Sequence, residues 1–261
     1  KCDEELGVDV GGMVFSGLAS AAASLSDTEK EHRVVLIDIG GGTTDVAIFV
    51  EGALSYSSVI PIGAINITKD LAAGLRVSLE SAEKIKLALG EAPKIPTTSD
   101  EEKIRSPKVD KTDEIDLSNL GIMEELRSVS RKTLVEGIIK PRLNEIITMV
   151  GLEIKRSGFG GMTPSGIVLT GGGALTVGAV EAARRNLAMP VHVGMPQHVT
   201  GLIDEIMTPA FTAGVGLLLY GSKSGRGEGA PLLSGCGKIG ERVHIKGMVG
   251  KVIDLVKSFL P

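Results

Sequence analysis

Apolar residues in this chain gather in short runs broken by glycine, proline and small polar residues. The clearest unit is Val34–Phe49, VVLIDIGGGTTDVAIF. Two continuous apolar runs flank a glycine-rich tip, which predicts a hairpin of two buried strands. Ahead of it, Val8–Phe15 reads as a short strand. Ser16–Leu25 reads as a small, alanine-rich helix that ends at Ser26-Asp27. Ala53–Ile60 follows as a third strand closed by Pro61. Three antiparallel strands therefore come in succession, which is not a strand–helix–strand start.

Beyond the strands the spacing turns helical. Thr68–Leu75 and Ser81–Leu89 read as helices, the second with Ser78 or Ser81 as its cap. From Gly90 to Asp116 the chain is polar with several prolines, a surface excursion. Gly121–Lys155 is predicted to be a long helical region interrupted near Lys140-Pro141, because proline starts or kinks a helix. Ile138, Ile139, Leu143, Ile146, Ile147 and Val150 carry its apolar face. Gly166–Thr170 is a buried strand, Thr176–Arg185 a helix, Val191–Val193 a strand and Pro209–Tyr220 a helix of small residues. Ser222–Gly240 is rich in glycine and serine without periodicity, a linker. Val243–Leu260 reads as a final amphipathic helix. No internal repeat is visible.

The length of 261 residues suits one large or two modest domains. Aromatic content is 3% and tryptophan is absent, so Val, Ile, Leu and Ala must build the core. The balance of 28 basic and 32 acidic residues, net −4, argues against a general nucleic-acid surface. Cys2 and Cys236 lie near opposite ends and fit no metal motif, which points to a reducing cytoplasm. No apolar run reaches the length of about 18 residues that reads as a membrane span. The chain opens on Lys1 with no signal peptide, and is expected to be a fragment.

The hairpin tip carries candidate chemistry. Gly40, Gly41 and Gly42 let the backbone approach a ligand with no Cβ in the way. Successive N–H groups at such a tip form an anion-binding concavity. Thr43 and Thr44 add hydroxyl donors, and Asp38 puts a carboxylate where a magnesium ion or its water shell can sit. The competing reading is a tight turn that binds nothing. A second strand-to-glycine element, Leu169–Ala174, leads towards a helix whose N-terminus suits an anion or a purine edge. Glu83 and Lys86, on a helix between the two tips, share a face and can bond a ribose or purine. Alternatively they form a weak, solvated ion pair.

Taken in order, strand–DIGGGTTD–strand, AEKIK and GIVLTGGGA resemble the actin/heat-shock/sugar-kinase ATPase superfamily. Within it they are most similar to the FtsA family of bacterial cell-division proteins. GLASAAASL, GALSYSSVIPIGAINITKDLA, IIKPRLNEII and MPQHVTGLIDEIMTPAFTAGVGLLLYG carry the same likeness, over Gly7–Gly221 and again at the tail. The resemblance implies an α/β, actin-like (RNase H-like) ATPase fold with an incomplete first half and a C-terminal amphipathic helix. It implies ATP and Mg2+ in a cleft. Asp38 and Gly40, Gly41, Gly42, Thr43 and Thr44 match the second phosphate loop, with Asp38 on the metal side. Glu83 and Lys86 match positions near ribose and purine, and Gly171, Gly172, Gly173 and Ala174 the adenosine loop. The first phosphate loop of the family is expected upstream of Lys1.

The same resemblance divides the chain. Residues 1–30 would end subdomain 1A, 31–63 with 164–204 would form subdomain 2A, and 64–163 subdomain 2B. Residues 205–221 would be a returning 1A helix, 222–241 a flexible linker and 242–261 a membrane-targeting helix. No residue is assigned a catalytic role. Where hydrolysing relatives place a Gln or Glu to orient water, Ser16 or Gly17 stands here, so hydrolysis is expected to be weak or absent.

In the tail, Ile245, Met248, Val249, Val252, Leu255, Val256, Phe259 and Leu260 follow helical spacing, with Arg242, Lys246, Lys251 and Lys257 supplying charge. A helix of this length, about 27 Å, should lie in the interface of an anionic membrane. Lys140, Arg142 and Asn144 match the FtsA region that grips the acidic-apolar C-terminal peptide of FtsZ, Arg142 clamping a carboxylate. The expected role is an ATP-binding, polymerising tether of FtsZ on the cytoplasmic side of the membrane at the division site. A small-molecule kinase and a pilus-assembly ATPase of the same superfamily are the alternatives.

Overall fold

A computed structural model describes residues 10–91, 113–117, 120–122, 128–161, 163–197 and 206–224, with positions 5, 7 and 199. In chain order the first elements are α1 (Ser16–Ser24), α2 (Asp27–Glu31), β1 (Val34–Ile39), β2 (Thr44–Val50), β3 (Ala53–Ile60), α3 (Ala64–Leu75) and α4 (Leu79–Glu91). A small ribbon of β4 (Glu114–Asp116) and β5 (Ser128–Ser130) follows, then α5 (Arg131–Leu134), a π-helical segment Val135–Ile139 and α6 (Lys140–Arg156). The last are β6 (Ile167–Thr170), a 3-10 turn Gly172–Leu175, α7 (Ala179–Leu187), β7 (Val191–Val193), a 3-10 turn Pro209–Phe211 and α8 (Thr212–Ser224).

The main sheet has the order β3-β2-β1-β6-β7. β1 pairs antiparallel with β2 and parallel with β6. Every residue of β1 is buried because both faces of the sheet are covered. Side chains alternate across a strand. Val35, Ile37 and Ile39 therefore enter the larger core, with Ile67 and Leu71 of α3, Ile85 of α4 and Ile146 of α6. Val34 and Leu36 enter the smaller one, with Ala47, Phe49, Ala21 and Leu25. A fully buried aliphatic side chain of this kind stabilises the fold by about 1.5–3 kcal/mol. The same alternation sends Asp38 and Asp45 to the α1 side.

α1 is small-residue-rich because α8 crosses it without a gap: a Cβ on Gly216 would lie 1.8 Å from the Ala19 carbonyl oxygen. Ser26, read as the end of α1, also starts α2. It forms a capping box with Glu29, whose carboxylate accepts the Ser26 N–H at 2.8 Å.

Several sequence expectations need correction. The strand expected over Val8–Phe15 is not formed across residues 10–15, where Met13 is exposed and no neighbouring strand takes the backbone. α3 begins at Ala64 rather than Thr68, because glycine-tip carbonyls satisfy its first N–H groups. β5 falls in the region expected to be helical and pairs with β4. The interruption expected near Lys140-Pro141 is present: the π-helical turn Val135–Ile139 ends there, and α6 begins at Lys140 with Pro141 in its first turn. The helix expected from Thr176 starts at Ala179, after a 3-10 turn. α8 runs through Ser224, past the expected start of the linker. Residues 92–112 of the excursion, the remaining linker and the tail Val243–Pro261 lie outside the described residues. Among the described residues no helix is long and apolar enough to cross a membrane.

Candidate functional site

The two glycine tips meet at one cleft of about 380 Å³, lined by Asp38, Gly40, Gly41, Thr43, Asp45, Gly171 and Gly172, with Ser16 and Ala210 beside them. Sheet topology brings them together. β1 and β6 are parallel neighbours, with Asp38 beside Thr170, so both strands deliver their tips to the same edge. Gly171 has φ +81°, and a Cβ there would lie 2.2 Å from Asp38 Oδ1 and 2.5 Å from the Ile39 carbonyl. The second tip thus rests on the end of β1. Gly173 is equally constrained, with Ile39 Cγ2 at 2.3 Å from its would-be Cβ. These two glycines are required by packing. Gly172 has room, its nearest neighbour being Ala210 Cβ at 3.8 Å, and it faces the cleft. Ala174 is buried behind the tip.

At the first tip, the Gly40 N–H donates to the Thr43 carbonyl at 2.9 Å, closing the turn. Gly42 is exposed and Thr43 lines the cleft. Thr44 turns to the opposite face and donates its hydroxyl to the Ile62 carbonyl at 2.8 Å. Asp38 and Asp45 are a cross-strand pair. The Ser20 hydroxyl donates to Asp38 and the Ser16 hydroxyl to Asp45. Burial pushes the Asp38 carboxyl above its ordinary pKa, the Ser20 hydrogen bond opposes this, and the Asp45 charge adds to the rise. A cation beside Asp38 would relieve that state.

These groups fit a magnesium–nucleotide. Asp38 and Asp45 are hard oxygen donors, and magnesium is commonly held by one or two carboxylates plus phosphate oxygens. Among the described residues there is no cluster of three or more His, Cys, Asp or Glu to hold a metal alone. The glycine tip adds backbone N–H groups for an anion.

Glu83 and Lys86 do not line the cleft. Lys86 is buried, with its Nζ 2.8 Å from Glu83 Oε2 and 3.0 Å from Thr68 Oγ1. Thr68 in turn donates to Glu83 at 2.6 Å. Their helix nonetheless ends beside the second tip, where a Cβ on Gly90 would lie 3.1 Å from the Leu175 carbonyl. The partner candidates sit on the first turns of α6. Lys140 pairs with Glu136, and Asn144 accepts from Asn186 Nδ2 at 3.0 Å. Arg142 is clamped by Asp70 through two bonds, Nε at 2.6 Å and Nη2 at 2.9 Å, and also bonds Glu145. The membrane candidates Met248, Val249, Val252, Leu255, Val256, Phe259 and Leu260 lie outside the described residues.

Sequence reasoning left Asp45, Ser20 and Gly63 without a role. The aspartates at either end of the glycine tip and the four-residue spacing of Ser16 and Ser20 were the available signals. Gly63 had none, since its need comes from Gly41, whose carbonyl oxygen would lie 2.5 Å from a Cβ there.

The fold is that of the actin-like ATPases. The chain superimposes on the solved structure of MreB5 of Spiroplasma citri bound to AMPPNP with a TM-score of 0.60 at 17% identity, covering 85% of this chain and 62% of that one. The family model of the cell division protein FtsA matches residues 35–216, and the chain belongs to the FtsA family. It is 40% identical over 231 residues to the cell division protein FtsA of Pseudomonas aeruginosa, covering 85% of this chain and 50% of that protein. It is 34% identical over 231 residues to that of Escherichia coli strain K12, covering 86% and 52%. The chain thus spans about half the length of these relatives.

Proposed function

We propose that this chain binds ATP with magnesium at the facing glycine tips and serves as the nucleotide-responsive part of an FtsA-type tether. The observation that carries the reading is the cleft itself: Asp38 stands between Gly40–Thr43 and Gly171–Gly172, with Asp45 beside it. Gly41, Gly42 and Thr43 would take phosphate oxygens, Asp38 the metal side, and Gly172 the nucleoside side. Glu83 and Lys86 would approach ribose and purine from α4. Magnesium, when bound, supplies charge neutralisation of the phosphates. The residues themselves hold and orient.

Turnover is weak in this reading. The Ser16 hydroxyl donates to Asp45 and is too short and too weakly basic to activate water. Residues 31–63 and 164–204 would form the nucleotide-holding subdomain and 64–163 the one that meets FtsZ, with Lys140, Arg142 and Asn144 receiving its acidic C-terminal peptide. The tail 242–261, reached through the linker that follows α8, would lie on the anionic membrane surface, and self-assembly would array the tethers at the division site. Reconstitution on anionic liposomes tests the whole. The full chain should co-sediment with the vesicles and carry the FtsZ peptide with it, and deletion of 243–261 should abolish both. Vesicle binding unchanged by the deletion rules out the tail, and peptide affinity unchanged in Arg142→Ala removes that residue.

A further inference from the structure

The residues proposed for the phosphates and the residue proposed for the partner are connected by one helix. α3 begins at the first glycine tip, where the Ala64 N–H donates to the Gly40 carbonyl at 2.9 Å and the Ile65 N–H to the Gly41 carbonyl at 2.8 Å. In a trans peptide the C=O and N–H groups point in opposite directions. The peptides whose carbonyls face α3 therefore turn the N–H groups of Gly41 and Gly42 away from it. Those are the groups on offer to an anion at the tip.

Two peptide planes thus stand between the first turn of α3 and a bound phosphate. Hydrogen bonds on the two sides of a peptide polarise one another, so an anion on the N–H side strengthens the bonds on the carbonyl side. The positive end of the helix reaches the anion through the same two planes. Gly63 permits this approach, since a Cβ there would lie 2.5 Å from the Gly41 carbonyl oxygen.

Further along α3, Asp70 holds the guanidinium of Arg142 on α6 by two bonds, at 2.6 and 2.9 Å. One turn on, Gly74 admits Ile138 of the π-helical segment, whose Cδ1 would lie 2.7 Å from a Cβ there. The remaining Arg142 nitrogen bonds Glu145. Arg142 is therefore committed before any partner arrives. An incoming carboxylate must displace Asp70 or Glu145, and Asp70 releases its arginine only if its side chain turns or α3 shifts.

We propose that α3 is the strut that couples the glycine tip to Arg142, with Asp70 as its latch. The inference rests on the proposed function, in which nucleotide occupies the tip and an acidic peptide engages Arg142. An anion that anchors the first turn of α3 holds Asp70 on Arg142, so nucleotide weakens the peptide. By linkage the peptide weakens the nucleotide by the same factor.

The test is a pair of titrations of the full chain, the FtsZ C-terminal peptide with and without magnesium-ATP, on the parent and on Asp70→Asn. In the parent, nucleotide should weaken peptide binding by about fivefold or more, the low end of ordinary site-to-site coupling. In Asp70→Asn the peptide should bind more tightly and the ratio should fall to near unity, with nucleotide still bound. If both ligands bind and the parent shows no ratio, or the variant keeps it, the strut is wrong while the proposed function stands. If either ligand fails to bind the parent, the proposed function falls and the strut with it. Hydrogen exchange on the parent is independent of the folding of the variant. Nucleotide should slow exchange in the first turn of α3 and across Ile138–Asn144, and an unchanged second region overturns the coupling.

Discussion

Asp38 and Asp45 stand directly opposite one another across the β1–β2 ladder, and each accepts a hydrogen bond from a serine of α1. Ser16 and Ser20 are four residues apart and so lie one turn apart on the same helix face. Two carboxylates are thereby held on one side of the sheet, at the mouth of a cleft, by a helix that α8 locks in place through Gly216. Nothing in the packing of the core requires two acids there.

Asp38→Asn should stabilise the chain in the absence of ligand. Burial, opposed by Ser20 and reinforced by Asp45, lifts the folded pKa of Asp38 above its ordinary 3.8. Between the unfolded and folded values the folded state binds more protons, so stability rises as pH falls through that window and the benefit is absent at neutral pH. A neutral Asn still accepts from Ser20 without that penalty. The expected gain at pH 7 is on the order of 1 kcal/mol, about 2–4 °C in Tm for a domain of this size. Thermal denaturation without nucleotide checks it, and a lowered Tm counts against the buried-charge account.

Gly171→Ala and Gly172→Ala should behave oppositely in stability. The first places a methyl against Asp38 and Ile39 at a φ of +81°, and should destabilise by about 2–4 kcal/mol. The second meets only Ala210 at 3.8 Å and should stay within about 0.5 kcal/mol. Urea unfolding of both variants measures the contrast. Equal losses would mean that the second tip is a packing device throughout.

Tyr56 on β3 donates to Glu153 on α6 at 2.7 Å and, with Ser58, holds that carboxylate below its usual pKa. The folded value being depressed, the interaction contributes above the unfolded pKa and is lost as pH falls through the folded one. Tyr56→Phe should cost about 1 kcal/mol at pH 7. The difference from the parent should shrink as the solution is taken below the ordinary carboxylate value of 4.5. A pH series of denaturant midpoints reads this directly, and a difference that persists into acid refutes the assignment.

Steady-state phosphate release should be close to background, and Ser16→Ala should leave it there. The Ser16 proton is committed to Asp45. Release at the rate of an active actin-like ATPase would show that another group activates water.

Strands and tips were legible because their signals are local. The apolar runs around Gly40–Gly42 and before Gly171 can form little else than buried strands, whereas the facing of Asp38 and Asp45 follows from the β1–β2 register. What the sequence leaves open is set by partners remote in the chain. The start of α3 depends on carbonyls about two dozen residues upstream. β5 exists because β4 is there to pair with it. The break before Pro141 is legible, but its π-helical form over Val135–Ile139 has no local signal. Arg142 reads as an open clamp, yet Asp70, which fills it, lies 72 residues earlier.

The most direct test of the central claim is isothermal titration of magnesium-ATP into the full chain and into Asp38→Asn and Gly172→Ala. Binding to the parent should be saturable and depend on magnesium, be lost in Asp38→Asn and be weakened at least tenfold in Gly172→Ala, a change of about 1.4 kcal/mol. No binding to the parent, or binding that neither substitution alters, would contradict it.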